Sequence, residues 1–551
     1  MLTHCCTQAR EPVISNNPDF VSLLTAPNGD IMSFVHFESP NPSQVYALGL
    51  EQDPSNGKLS VKSTAPVNMS EYGGLWIMCA GSVTPWGVHI GGEEYEPNAA
   101  AWEKATGLWE TQDGETSYQA LDPDSFQSVI QMLRYFGIYA IENETTLEEA
   151  KEVFNPYLYG YGVTFEPNDD GTGTGQKWYT TGRLSQELVY VMPNGKTAYI
   201  TDDGTNVGFF RLELDNENDL SSGTLYAAKL TQTSAEGGGA FDIEWVELGQ
   251  GNQDDLKEKV KSIQFSDMFD SADPAEDGTC PDGFISINAG GRGQECLKVV
   301  DGAEDDAAFF ETRRYAAYLG ATTEASKWEG FAFDPETSTA YTSISDVRYG
   351  MEDFKKKGEN ETKYDQGGPN HIALEYNPCG CVYALPMDSD YVATGMTAAL
   401  CGKPKEVDAN NTCGLGKIAN PDNVAYFGGK ILIGEDTSAH QNDAVWSWNP
   451  KTGELTRIMT TPFGAESTGI YFTPDINGFS YLSAVVQHPY GETDTELVDK
   501  KVNEFSEGPG GYVGFWTFPS SIDPSTISFE RVEVPKTADD KSKVLASNLI
   551  A

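Results

Sequence analysis

One pattern constrains this chain more than any other: a β-hairpin that carries an acid at both ends, and that recurs. Glu187 opens the segment ELVYVMPNGKTAYITDD, which turns at Asn194-Gly195 and runs back to Asp202 and Asp203. An Asn-Gly pair between apolar runs is a strong short-range hairpin signal. The pattern returns from Glu329 in EGFAFDPETSTAYTSISD to Asp346, and from Asp422 in DNVAYFGGKILIGED, through Gly428-Gly429, to Glu435 and Asp436. A hairpin brings the chain back to where it started, so each unit delivers carboxylates to one rim of a sheet. Several such units around one axis form a carboxylate-walled mouth, which suits hard cations.

The other segments fit the same plan. Short apolar runs rich in Val, Ile, Tyr, Phe and Thr, punctuated by 56 Gly and 29 Pro, predict strands rather than helices. Repeated antiparallel units predict an all-β fold, a six-bladed β-propeller with helical and loop insertions. A pair of β-sandwich domains is the alternative, but it does not explain why the acids recur at one end of each hairpin. Residues 1–60 read as an irregular N-terminal segment joining the propeller, with one or two strands such as IMSFVHF and SQVYALGL. Residues 61–551 read as a single propeller domain. Within it, GGLWIMCAGSVTPWGVHIGGEEYEP again delivers acids, Glu93, Glu94 and Glu96, to the end of a strand. A helical insertion is expected near 122–155, with Thr145 and Thr146 as caps, and an acidic loop near 250–310.

Charge excludes some partners. The 83 acids against 36 bases leave a net charge of -47, which repels nucleic acid phosphates and anionic membranes. No apolar run approaches the ~20 residues needed to span a bilayer. Cys280 and Cys296 lie in a Gly-rich loop, Cys379 and Cys381 in NPCGCVY, and Cys401 with Cys413 across a polar loop. These spacings suit disulfide-clipped loops in an oxidising compartment. A secreted, periplasmic or extracellular home is therefore expected, although the first residues show no signal-peptide pattern. The sequence is silent on oligomeric state.

The 6 histidines include no HExxH or HxH arrangement, so a His-rich zinc site is not expected. There is no GxSxG elbow, Walker lysine or EF-hand loop either. Carboxylate oxygens suit calcium, magnesium or ferric iron. The candidate metal ligands are Glu93, Glu94, Glu187, Asp202, Glu329, Asp346, Glu435, Asp436 and Glu466. Lys327 and Arg313 are the candidate catalytic cations, facing an anion; Arg313 and Arg314 have the alternative of pairing with neighbouring Glu311 or Asp305. His488 in VVQHPYGE either faces the site or holds the turn before Pro489.

Longer segments carry a family resemblance. GRLSQE, TDDGTNVGFFRLELD, SSGTLYAAKL, ETRRYAAYLGATTEASKWEG, NPDNVAYFGGKILIGEDTSAHQNDAVWSWNPKTGELTRI, AESTGIYFTPD and VVQHPYGE resemble the PhoX-type alkaline phosphatases and their larger relatives, over roughly residues 70–520. The resemblance implies a six-bladed propeller, usually exported, whose axial site holds ferric iron and calcium and hydrolyses phosphate monoesters. It places metal-binding carboxylates at Glu187 and Glu329. It also places the iron-ligating cysteine of the family at Gly92 in PWGVHIGGEE, where no ligand atom exists. The phosphate-holding arginine falls on Lys327, which keeps the charge without the planar two-pronged geometry. Cys79 in LWIMCAG is the nearest thiol, and the Pro-Trp turn that separates it from Gly92 argues against its taking over. Two functions are expected from this chain. One is a secreted metal-dependent phosphoesterase acting on a small phosphorylated substrate. The other is a calcium-binding propeller of reduced activity that serves as a binding or structural module. A hydrolase of another substrate, such as a lactone or phosphodiester, is a third reading.

Overall fold

The computed structural model describes residues 3–4, 13–39, 41–105, 110–112, 115–117, 123–138, 146–491 and 510–529. Strand Pro18–Thr25 leads a four-stranded sheet continued by Ile31–Phe37, Gln44–Gln52 and Leu59–Pro66. Met78–Val83 leads a second sheet, with His89–Glu93, Gly162–Pro167 and Gly173–Trp178. A nine-stranded sheet contains two further units, one led by Gln186–Val191 and one by Trp328–Asp334, joined where Ala240–Asn252 pairs with Gly395–Cys401. Pro421–Phe427 and Glu466–Ile476 lead the remaining units. The leading strands pack neighbour to neighbour in that order, and Glu466–Ile476 returns to Pro18–Thr25. The ring of sheets is a β-propeller.

Packing between units explains the composition of the strands. A sheet covered on both faces needs apolar side chains on both, so its alternation blurs. Ile31–Phe37 and Trp328–Asp334 are buried at every position. Between the units led by Gln186–Val191 and Trp328–Asp334, Phe209 stacks on Trp328 at 4.6 Å and Tyr199 on Phe331 at 4.9 Å. Each such pair adds roughly 0.5–1.5 kcal/mol beyond area burial. The Asn194-Gly195 hairpin turns with Gly195 at φ 63°, a conformation that penalises side chains, while the Asn194 side chain accepts from Lys196 N and Thr197 N at 3.0 Å.

The axis is chemically polar. Past their first residues the leading strands carry Leu188, Phe331, Val424 and Ile470 into an apolar pocket of about 320 Å³. The acids gather at the opposite end.

Several regions differ from the sequence reading. Residues 18–66 form a complete four-stranded sheet rather than an irregular segment, because PDFVSLLT and IMSFVHF are both buried strands that close the ring. The stretch 250–310 is not a loop: it holds helices Gln253–Lys259 and Glu304–Phe310 and a three-stranded sheet clipped by Cys280–Cys296. The cysteine spacings leave the pairing open; the bridges are Cys379–Cys413 and Cys381–Cys401, and strand pairing sets Cys381 opposite Cys401. In the insertion near 122–155, helices span Pro123–Tyr135 and Leu147–Val153, the second opened by a capping box between Thr146 and Glu149. Thr145 lies outside the described residues.

Candidate metal centre

The acids reach the axis through a repeated backbone irregularity. In the leading strands, pairing register breaks between Pro18 and Val21, Met78 and Gly81, Gln186 and Leu188, Trp328 and Phe331, and Pro421 and Val424. A bulge inserts residues without a partner and re-aims a side chain. The residues inside these breaks include Asp19, Cys79, Glu187, Glu329 and Asp422, all buried. The second strand of each hairpin adds an acid just past its end: Glu38, Glu94, Asp203, Asp346 and Asp436 follow strands ending at Phe37, Glu93, Asp202, Ile344 and Glu435. Glu466 opens the last leading strand, and His488 Nε2 lies 3.3 Å from it.

Little positive charge balances these groups. Lys327 places its Nζ 3.0 Å from Asp203 and 3.1 Å from Glu329. It does so from a backbone at φ 49°, uncommon for a side-chain residue and held by bonds from Lys327 N to Gly204 O and from Ser345 N to Lys327 O. Tyr95 also donates to Asp203. Burial raises the Asp203 carboxyl, but Lys327 and the hydrogen bonds of Glu94 and Tyr95 outweigh it and hold the group at about 2. The other acids move the opposite way. Burial, then Asp203, pushes Glu329 up to about 8; burial, then Asp19 and Asp436, does the same to Glu38. Glu94, Asp422 and Glu466 are raised well above the usual carboxylate range, by burial first and then by the charges of Asp203, Glu329 and Asp436 respectively.

Glu187 is the extreme case. It is 2% exposed, and among the described residues no donor bonds to its carboxylate. Burial raises it first, then the charges of Glu329, Asp422, Asp19 and Asp203. An ionised carboxylate left in that state is costly. Two sets of ligand atoms lie within 4.8 Å of one another, Cys79 with Glu94 and Glu187, and Glu187 with Glu329 and Asp422. The donor set therefore fits cations, and Glu187 belongs to both sets.

Other candidates sit elsewhere. Glu93 points away from Glu94 and ion-pairs with Lys177 at 2.7 Å, accepting also from Trp76 N and Gly160 N. Glu435 accepts from Ala419 N, Ala444 N, Trp446 Nε1 and His440, which leaves no free donor site. Asp202 faces Arg313, whose Nε is 2.8 Å away and whose Nη1 reaches Glu96 at 2.9 Å. Arg313 is thus buried in ion pairs behind the rim, with Asp202 and Glu96, while its neighbour Arg314 makes the expected pair with Glu311 at 2.7 Å. Asp346 is at the rim, bound by Arg348 at 2.7 Å and Ser326 at 2.6 Å.

The family model for alkaline phosphatase PhoX matches residues 47–490. The chain belongs to the PhoX alkaline phosphatase family. Among solved structures, Pseudomonas fluorescens PhoX in complex with vanadate, a transition state analogue, matches with a TM-score of 0.56 and 17% identity, covering 92% of this chain and 89% of that one. At that identity the likeness speaks to the fold. The periplasmic gluconolactonase PpgL of Pseudomonas aeruginosa matches at 10% identity and a TM-score of 0.30, over 82% and 86% of the two chains. A putative 6-phosphogluconolactonase from Bacteroides uniformis matches at 11% and 0.29, over 79% and 82%. A search of curated proteins gives no match.

Against the PhoX resemblance, Gly92 has a physical cause. A Cβ added there would lie 2.0 Å from the Gln186 carbonyl oxygen, so the neighbouring unit leaves no room for a side chain. The Pro-Trp turn that separates Cys79 from Gly92 along the chain folds Met78–Val83 back onto His89–Glu93, and so brings Cys79 beside Glu94. Asp19, Glu38 and Tyr95 are absent from the sequence-derived candidates. Asp19 and Glu38 do flank a further acid-ended hairpin, DFVSLLTAPNGDIMSFVHFE, with its own Asn-Gly pair.

Proposed function

We propose that this PhoX-family protein is a secreted, metal-dependent phosphoric monoester hydrolase acting at the carboxylate-lined end of the propeller axis. The observation that carries the reading is Glu187, buried among other acids without a hydrogen-bond donor among the described residues. Glu187, Glu329 and Asp422 would hold a hard cation such as calcium, and iron is the second metal implied by the family. When bound, such cations supply charge neutralisation for phosphoryl oxygens and a more acidic water.

The protein's own groups divide the remaining work. The side chain of Lys327 is 22% exposed, so its ammonium can reach an anion at the mouth while Asp203 and Glu329 fix it in place. Phosphate oxygens are well matched to such a charged donor. Tyr95, 43% exposed, holds Asp203 and marks the outer edge of the site. The net charge of -47 disfavours nucleic acid and leaves small phosphomonoesters as the substrate class. The disulfides Cys280–Cys296, Cys379–Cys413 and Cys381–Cys401 support an oxidising compartment outside the cytoplasm. Among the described residues no helix is long and apolar enough to cross a membrane.

The deciding experiment is metal analysis of the purified protein together with p-nitrophenyl phosphate turnover, before and after chelation and with metal returned. Turnover that falls on chelation and recovers with metal supports the proposal. Bound metal with no turnover on any phosphomonoester would overturn it in favour of a binding module.

A further inference from the structure

We infer that Cys79 is a metal ligand in this chain, its thiolate joining Glu94 and Glu187 to hold a transition-metal ion beside an all-oxygen subsite that shares Glu187. The inference rests on the metal-dependent reading of the site and adds to it a sulfur donor from an unexpected strand.

Position is the first support. Cys79 lies in the register break of its leading strand, as Glu187, Glu329 and Asp422 do in theirs. Where four other units carry a carboxylate at this break, Asp19, Glu187, Glu329 and Asp422, this one carries a thiol. The second support is independent of the cysteine: Glu187, 2% exposed, has no donor among the described residues, and its carboxylate lies within 4.8 Å of both Cys79 and Glu94. A buried carboxylate surrounded by other carboxylates and a thiol is neutralised by a proton or by a cation, and these ligand atoms lie close enough together to share one cation.

The donor atoms then choose the metal. Thiolate favours borderline ions such as iron, cobalt or zinc over calcium or magnesium, whereas three carboxylates favour the hard ions. Binding breaks the S–H bond and forms a sulfur–metal bond. The proton passes to Asp19, whose Oδ2 accepts from Cys79 Sγ at 3.4 Å, and thence to solvent. No oxidant is needed, since neither sulfur nor metal changes oxidation state.

The test is zinc K-edge X-ray absorption on the full chain, metal-stripped and then loaded with zinc alone. Cys5 and Cys6 are replaced by serine in all samples, so that any thiolate sulfur at the metal reports Cys79. The expected result is a sulfur shell at about 2.3 Å, lost in Cys79→Ser. The wild-type-like sample decides the matter even if Cys79→Ser fails to fold. Cobalt(II) in place of zinc adds a thiolate charge-transfer band, which Cys79→Ser abolishes. Zinc held by oxygen alone would overturn the inference and leave the metal-dependent reading standing; binding of neither zinc nor calcium would overturn both.

Discussion

Lys177 and Glu93 form a fully buried ion pair at 2.7 Å, one residue along the chain from the carboxylate of Glu94. Adjacent residues of a strand face opposite ways. Glu93 therefore supports the packing of the second sheet while Glu94 faces the axis. Replacing Glu93 by Gln strands the Lys177 charge, so unfolding free energy should fall by about 3–5 kcal/mol, with metal content per folded molecule unchanged. Glu94→Gln should do the reverse: metal is lost, while the stability of the metal-stripped protein changes little, because the amide replaces a carboxyl that burial already holds protonated and keeps a donor for Asp203. Thermal or denaturant unfolding with parallel metal analysis separates the two.

Stability of the metal-stripped protein should fall as pH rises. Glu38 and Glu329 stand at about 8 in the fold against 4.5 for a free side chain. The folded state thus binds more protons than the unfolded chain between those values, and linkage makes stability decline through that window. Their contribution is fully present below about pH 4.5 and is lost as pH passes 8. Calcium or a transition metal should flatten the slope. Melting temperatures across pH 4–9, with chelator and with metal, check this; a metal-independent slope would refute it.

Lys327 offers a clean comparison, since its positive φ burdens every side chain at that position alike. Lys327→Met should lower kcat/KM for p-nitrophenyl phosphate by about 100-fold or more, with metal retained. Lys327→Arg, which restores charge and adds a second prong, should recover most of it. Equal loss in both variants would mean that the lysine serves only to neutralise Asp203 and Glu329.

Arg313 should behave as a structural residue. Its guanidinium lies between Asp202 and Glu96, and Arg313→Met leaves Asp202 buried without its cation and Glu96 with Arg183 and Arg292 alone. A loss of about 3–5 kcal/mol in stability is expected. Kinetic constants of the surviving folded fraction should change little.

The sequence made the repeating unit legible because hairpin chemistry is local: an Asn-Gly turn and an acid at each end are visible in one dimension. Glu94, Glu187, Glu329, Asp346 and Asp436 stand at such ends in the sequence. What one dimension conceals is direction. Glu93, Asp202 and Glu435 share the right hairpin ends with true rim residues but point into other units, where Lys177, Arg313 and a set of backbone donors receive them. Distance along the chain also misled: the turn between Cys79 and Gly92 looked like a separation and is the fold that joins them. The unit at Pro18–Thr25 escaped notice because it lies so near the N-terminus, although DFVSLLTAPNGDIMSFVHFE carries the same signal as the rest.

Ring closure has a temporal consequence. Asp19 comes from the start of the chain and Glu466 from near its end, yet Asp19 is among the charges that raise Glu466. Their strands meet only when the last unit docks on the first. The carboxylate-lined cavity is therefore complete only once every unit from Pro18–Thr25 to Glu466–Ile476 has taken its place in the ring. Loss of either unit would open the ring and dismantle the acidic cavity at once, so the candidate site and ring closure are one cooperative event.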